Sequence, residues 1–255
     1  MKALIKLKIK ENLNKTSFLF FAIIGGLISL FVISSITFTT NSPELSSEYQ
    51  QYGFQWTLLS FMASLAAIAL GMGNLYNHRR SQNKDLLRLH GLTVERQYQA
   101  ISVASITISS LMGLILLLGM VISLVIKGNQ IHLLGLLGAI LIYILGITTV
   151  SLILTLLSLF LKPSLTGLLG ILLVLLGSGK GIISLMVANT GGFFSKLGQV
   201  FLSFLPALDT YSRFARDMFF GEFSFNQEFL KIGIYTWIVF GLLYLGIKGV
   251  ASYEK

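Results

Sequence analysis

Ionisable residues are scarce in this sequence, and their positions decide which chemistry is open to it. The three histidines, His78, His90 and His132, sit at the edges of apolar runs. Two fall near one end of the expected spans and one near the other, so they cannot converge on one metal ion. An intramembrane protease needs a nucleophile and base, or paired carboxylates with histidines, inside its spans, and this sequence offers none there. Ion-coupled carriers usually bury acidic groups at mid-depth, whereas all ten Asp and Glu fall outside the expected spans. With no cysteine, disulfides, a structural Cys zinc site and a thiol nucleophile are excluded. Lys180, in GSGKG, is the one charge within an otherwise apolar run. Counted from Ser164 it lies about 24 Å along a helix axis, near the outer edge of a bilayer core. Snorkelling to headgroups or contact with an anionic substrate group would both satisfy it. LGSGKG resembles the tail of a phosphate-binding loop, but the leading glycine is missing and Gly181 stands where Ser or Thr is required.

The stretch HRRSQNKDLLRLHGLTVERQ, residues 78–97, is the polar exception between two apolar runs and carries Arg79, Arg80, Lys84, Arg88 and Arg96. Its spacing predicts a short amphipathic helix of roughly ten residues, with Leu86, Leu87, Leu89, His90 and Val94 on one face and Ser81, Lys84, Asp85 and Arg88 on the other. Ser81 is the expected N-cap and Gly91 the expected C′ residue. A second helix is expected from Thr93, with Glu95 near its positive end. Such an element between two spans reads as a docking helix; a surface helix with no partner is the plainer alternative.

The bulk numbers set the elements that position these residues. The 255 residues are 54% hydrophobic and only 11% charged, with mean hydropathy +0.80; a soluble chain would carry about 25% charged residues. The expected class is an all-α polytopic membrane protein forming a single transmembrane domain over residues 1–255. Six spans are expected, at about 18–39, 54–76, 98–126, 133–160, 164–187 and 229–250, each long enough for a ~30 Å core. The ladder Ala63, Ala67, Gly71 predicts a face packed on protein. Residues 1–17 read as a retained interfacial segment, its lysines suited to an anionic leaflet although Lys8 and Lys15 interrupt the apolar face. Six spans place both termini on one side. Lys and Arg number five in the N-terminal segment, five in 78–97, one at Lys162 and two at the C-terminus. That is thirteen, against five on the other side, which predicts cytoplasmic termini in the plasma membrane. The formal charge of +9 is thereby assigned to orientation rather than nucleic acid.

Residues 188–228 form the longest expected outer connection. Phe193, Phe194, Leu197, Val200, Phe201, Phe204 and Leu205 repeat at helical spacing. After Pro206 a second helix brings Tyr211, Phe214 and Met218 together, with Asp209/Arg213 and Arg213/Asp217 spaced to pair and Gly221 ending it. A hairpin dipping into the outer leaflet and a pair of surface-lying helices both fit this pattern.

By layout, and most specifically over SQNKDLLRLHGLTVERQYQA, the chain resembles the type 2 ATP-binding-cassette (ABC-2) exporter permeases, and FLPALDTYSRF resembles the proline-containing outer segment that many of them have before the last span. The family's E-x-G-T-like start to the coupling segment appears here only as Ser81-Gln82-Asn83. The resemblance implies a permease subunit with a coupling helix between spans two and three and an outer helical hairpin between spans five and six. ATPase contact would then fall on Lys84, Asp85, Leu86, Leu87, Arg88, Leu89, Thr93 and Arg96, and a substrate path or outer gate on Lys180, Phe201, Pro206, Tyr211 and Phe214. The implied partners are separate ABC ATPase subunits, which would carry ATP and Mg, a second permease chain and membrane lipid. The chain would bind no cofactor and be no enzyme. The expected cargo is a hydrophobic or amphipathic peptide, lipid or drug. The rival readings are a non-transporting immunity or sensor protein that binds a peptide through its outer hairpin, and a lipid-acting membrane enzyme.

Overall fold

The structure is a computed structural model that describes residues 1–35, 47–126, 132–221 and 223–254. The end of the expected first span, 36–39, therefore lies outside the described residues, as do 40–46 and 127–131 in the connections after the first and third expected spans. Among the described residues the chain is helical, without a strand. Four helices are long and apolar enough to cross a membrane, or up to six if each of two bent pairs is one span.

The first bent pair is α1 (Lys2–Leu13) followed by α2 (Thr16–Phe20), a π-helical turn (Phe21–Gly25) and α3 (Gly26–Ser35). Its halves meet at 59°. Helix α1 does not lie on lipid alone. Leu4 and Asn12 are buried where α1 packs on the long helix Val94–Ile126, while Lys2, Lys6 and Lys10 stay exposed. Next come α4 (Ser47–Gly71), α5 (Asn74–Arg79), α6 (Asn83–Leu89) and α7 (Val94–Ile126). Ala63 and Ala67 are fully buried, as close approach of neighbouring helices to small residues requires. Helix α3 reaches α7 so closely that Ser29 Oγ donates to the Leu116 carbonyl at 2.6 Å. A Cβ on Gly119 would sit 2.9 Å from that hydroxyl.

Helix α8 (Leu133–Phe160) returns to the basic end, and Pro163 opens α9 (Pro163–Ser178) at its first turn, where a missing N–H costs nothing. The expected continuous fifth span is corrected here. It breaks at Gly179, and α10 (Lys180–Thr190) leaves at 69°. Lys180 is therefore the first residue of a new helix, and the 24 Å depth reckoned along a straight one does not hold.

Helices α11 (Gly192–Phe204) and α12 (Leu208–Phe220) precede α13 (Gln227–Tyr253). Helix α12 is inserted into the bundle rather than laid across its end. Tyr211 packs on Gly146 near the middle of α8, Met218 on Gly138, and the Met218 and Phe219 carbonyls on Gly135 near its start. Thirteen residues separate Leu133 from Gly146, so α12 begins about 20 Å down α8. Apolar burial gains little in lipid, so packing and interhelical hydrogen bonds must hold such an element. A hydroxyl triad supplies part of this. Thr149 and Tyr211 are 3.1 Å apart, Thr149 and Thr236 2.8 Å, and Tyr211 and Thr236 2.9 Å, joining α8, α12 and α13. The expected i,i+4 pairs on α12 do not form. Arg213 pairs with Glu228 and Asp217 with Arg216, while Asp209 accepts from the N–H groups of Gly181 and Thr210.

Candidate functional site

Two places gather the chemistry-bearing residues, one at each end of α13. At the basic end, α6 is short because Gly91 stops it. With φ at +80°, Gly91 lets its own N–H bond the Arg88 carbonyl at 2.9 Å and the Leu92 N–H bond the Leu87 carbonyl at 3.0 Å, a Schellman closure. The start differs from expectation. Gln82 holds the N-cap position, and Ser81 Oγ instead donates to the His78 carbonyl at 2.8 Å. Thr93 caps α7, its Oγ1 accepting the Arg96 N–H at 3.4 Å.

The helix is strapped down by a residue that sequence reasoning passed over. Gln97 is fully buried; its Nε2 donates to the Leu92 carbonyl at 2.8 Å and the Lys84 carbonyl at 3.1 Å. Its Oε1 faces His78 Nε2 at 2.9 Å, which makes His78 the donor through Nε2. A second strap comes from α13. Glu254 takes Arg79 Nε at 2.5 Å, the Tyr98 hydroxyl at 2.6 Å and Lys84 Nζ at 3.2 Å, and its carbonyl takes Arg88 Nη1 at 3.4 Å. Burial alone would raise the Glu254 carboxyl. The bonds from Tyr98, Arg79 and Lys84, with the Lys84 charge, outweigh it and hold the group below the ordinary glutamate range.

Lys84 and Arg88 thus reach Glu254 at the end of the chain's own α13. Leu87 is half-buried, while Leu86 and Leu89 point outward, 54% and 83% exposed. Asp85 and Arg96 are also exposed. Beside them Thr93, Glu95, Arg88 and Lys248 line a cavity of about 620 Å³ between the α6–α7 turn and α13.

At the opposite end a cavity of about 600 Å³ opens among α10, α11, α12 and α13, with Lys180, Tyr211, Lys231 and Tyr235 on its wall. Lys180 is tied first to the chain's own backbone. Its Nζ donates to the Leu205 carbonyl at 2.7 Å, and the Tyr235 hydroxyl donates to the Phe204 carbonyl at 2.8 Å. These are two of the carbonyls that every helix leaves open at its C-terminus, and a cation there also meets the negative end of the α11 dipole. The other expected gate residues scatter. Phe201 is exposed on α11; Pro206 is buried with Val150 and Gly170 around a small gap. Phe214 is core, stacked edge-on with Phe223 and Phe229.

Glu254, Gln97, Tyr98 and Tyr235 were missed by sequence reasoning, and Lys231 reads in the sequence only as an edge lysine of the last span. None of the missed residues left a local signal: Glu254 is one of four carboxylates at the basic end, with Glu11, Asp85 and Glu95. A scan of protein-family models matches none of them to this chain, and a search of curated proteins returns no match.

Proposed function

We propose that this chain is the membrane subunit of an ABC exporter, driven at α6 by a separate ATPase and lying in the plasma membrane with α6 on the cytoplasmic side. One observation carries the reading. Helix α6 stands between two long apolar helices, is held on its inner side by Gln97 and Glu254, and displays Leu86 and Leu89 to the outside. Leaving a leucine in water forgoes roughly 1.5–3 kcal/mol of burial, which a partner's apolar groove would recover. The ABC-2 resemblance over residues 81–100 gives the partner its class.

The same contacts give the push a route. Force on α6 passes through Gln97 and the α6–α7 turn to α7, and through Lys84 and Glu254 to α13. Helix α13, 27 residues long and about 40 Å at 1.5 Å per residue, carries the displacement to the outer cavity that Lys231 and Tyr235 line. The two sites are mechanically joined by one helix. Hydrophobic or amphipathic molecules suit a path walled this way.

Co-purification from native membranes tests the reading. A nucleotide-hydrolysing subunit should accompany the chain and be lost, by tenfold or more, on Leu86→Glu or Leu89→Glu. At such exposed sites these changes should cost the chain itself under about 0.5 kcal/mol. A stable complex without an ATPase, indifferent to both changes, overturns it.

A further inference from the structure

The outer cavity has a composition that the gate role alone does not explain. Its wall carries two lysines, Lys180 from α10 and Lys231 from α13, together with the apolar side chains Leu202, Ile234 and Ile238. Glu228 also borders it, but that carboxylate is taken by Arg213. Asp209, behind Lys180, is engaged by the N–H groups of Gly181 and Thr210. Lys180 commits one proton to Leu205 and keeps two to donate; Lys231 is exposed and has no ion-pair partner among the described residues. The volume falls within the range of about 300–1,000 Å³ typical of small-molecule sites.

From this we infer that the cavity is a binding site for a single anionic amphiphile, with its phosphate-bearing headgroup between Lys180 and Lys231 and its acyl chain along Leu202, Ile234 and Ile238. Charge complementarity selects the head. Two ammonium groups next to an apolar wall favour a compact anion over a zwitterion, whose own cation would meet them. The wall selects the tail, because Ile234 and Ile238 are one turn apart on α13 and lie along the same strip. Gln199 and Ser203, on the α11 side of the cavity, offer neutral hydrogen bonds to glycerol hydroxyls. The site does not depend on the permease reading, since nothing in it involves α6.

Native mass spectrometry of the full chain in neutral detergent tests it with palmitoyl lysophosphatidylglycerol, palmitoyl lysophosphatidylcholine and glycerol phosphate. The anionic lipid should bind one per chain, about tenfold tighter than the choline lipid. Glycerol phosphate alone should not displace it, which separates a membrane amphiphile from free phosphate. Lys231→Met should lower anionic binding about five- to tenfold and leave the choline lipid unchanged. Ile238→Trp, which fills the acyl side, should lower both. Lys231 is the probe because Lys180 also caps α11, so its loss would confound folding with binding. Equal affinity for the two lipids, anionic binding indifferent to Lys231→Met, or binding that survives Ile238→Trp overturns the site. Leu89→Glu should leave lipid binding intact, so loss of the ATPase partner and loss of this site are separable results.

Discussion

Replacing Glu254 by glutamine cuts the strap between α6 and α13 while keeping the side chain's shape. Glutamine can still accept the Tyr98 hydroxyl, but the charge that holds Arg79 and Lys84 is gone. Fully exposed ion pairs are worth about 0–1 kcal/mol and buried charged hydrogen bonds about 1.5–3 kcal/mol. Glu254 and Lys84 are 12% and 18% exposed and Arg79 is 39%, so each pair belongs between those limits, near 1 kcal/mol. Losing both, with a weakened Tyr98 bond, should cost roughly 2–3 kcal/mol. For a chain of this size that lowers Tm by roughly 5–10 °C. Lys84→Met should cost about half as much, and the Lys84→Met/Glu254→Gln double variant should fall short of additivity because both remove one contact. The pH dependence has a definite sign. Because the folded carboxyl titrates below its ordinary value of 4.5, its contribution is fully present above that value and is lost as pH falls through the folded one. Wild type and Glu254→Gln should therefore differ at neutral pH and converge in acid. Thermal unfolding in detergent, followed by intrinsic fluorescence across pH, reads all of this. A Tm within about 1 °C of wild type at neutral pH, or a difference that grows in acid, refutes the reasoning.

Other consequences are as specific. Gly135→Val should drive α12 from α8, because even a Cβ there meets the Met218 and Phe219 carbonyl oxygens at 2.8 Å; the expected cost is about 1–3 kcal/mol in thermal unfolding. Gly241→Ala, where a Cβ meets nothing within 4 Å, should instead stabilise by up to about 1 kcal/mol. Lys180→Met and Tyr235→Phe should each destabilise by about 1–3 kcal/mol, since each leaves a carbonyl at the end of α11 with one donor fewer. A Lys180 whose role were headgroup contact alone would show no such loss.

The difference between what could be read in the sequence and what could not follows from range. Helix α8 was bounded at Leu133 and Phe160 because its apolar run ends at His132 and at Lys162-Pro163. The C′ role of Gly91 was legible because a Schellman closure is local chemistry. The start of α7 is legible for the same reason: Thr93 and Glu95 carry the local signals of a helix N-terminus, and the helix begins at Val94. Helix α12 shows an apolar face in sequence, but a face does not say whether lipid or α8 covers it; glycines at 135, 138 and 146 settle that only in three dimensions. The Gly179 break is hidden because Gly177, Gly179 and Gly181 are equally tolerable in an apolar helix. Glu254 reaches its partners across 156 to 175 residues, beyond any local pattern. The intended i,i+4 pairing of Arg213 lost to Glu228 on α13 for the same reason, as tertiary partners override weak helix-surface pairs.

The absence of cysteine in the sequence makes the central claim directly measurable. Leu89→Cys would be the sole thiol of the chain, placed at the most exposed apolar point of α6, and a short thiol-directed photocrosslinker attached there can be activated in native membranes. The account predicts one dominant adduct, to a polypeptide that hydrolyses ATP, with a yield that changes when nucleotide is trapped. Labelling of that cysteine from outside intact cells by a membrane-impermeant reagent, or adducts to lipid alone while the chain remains active, would contradict it.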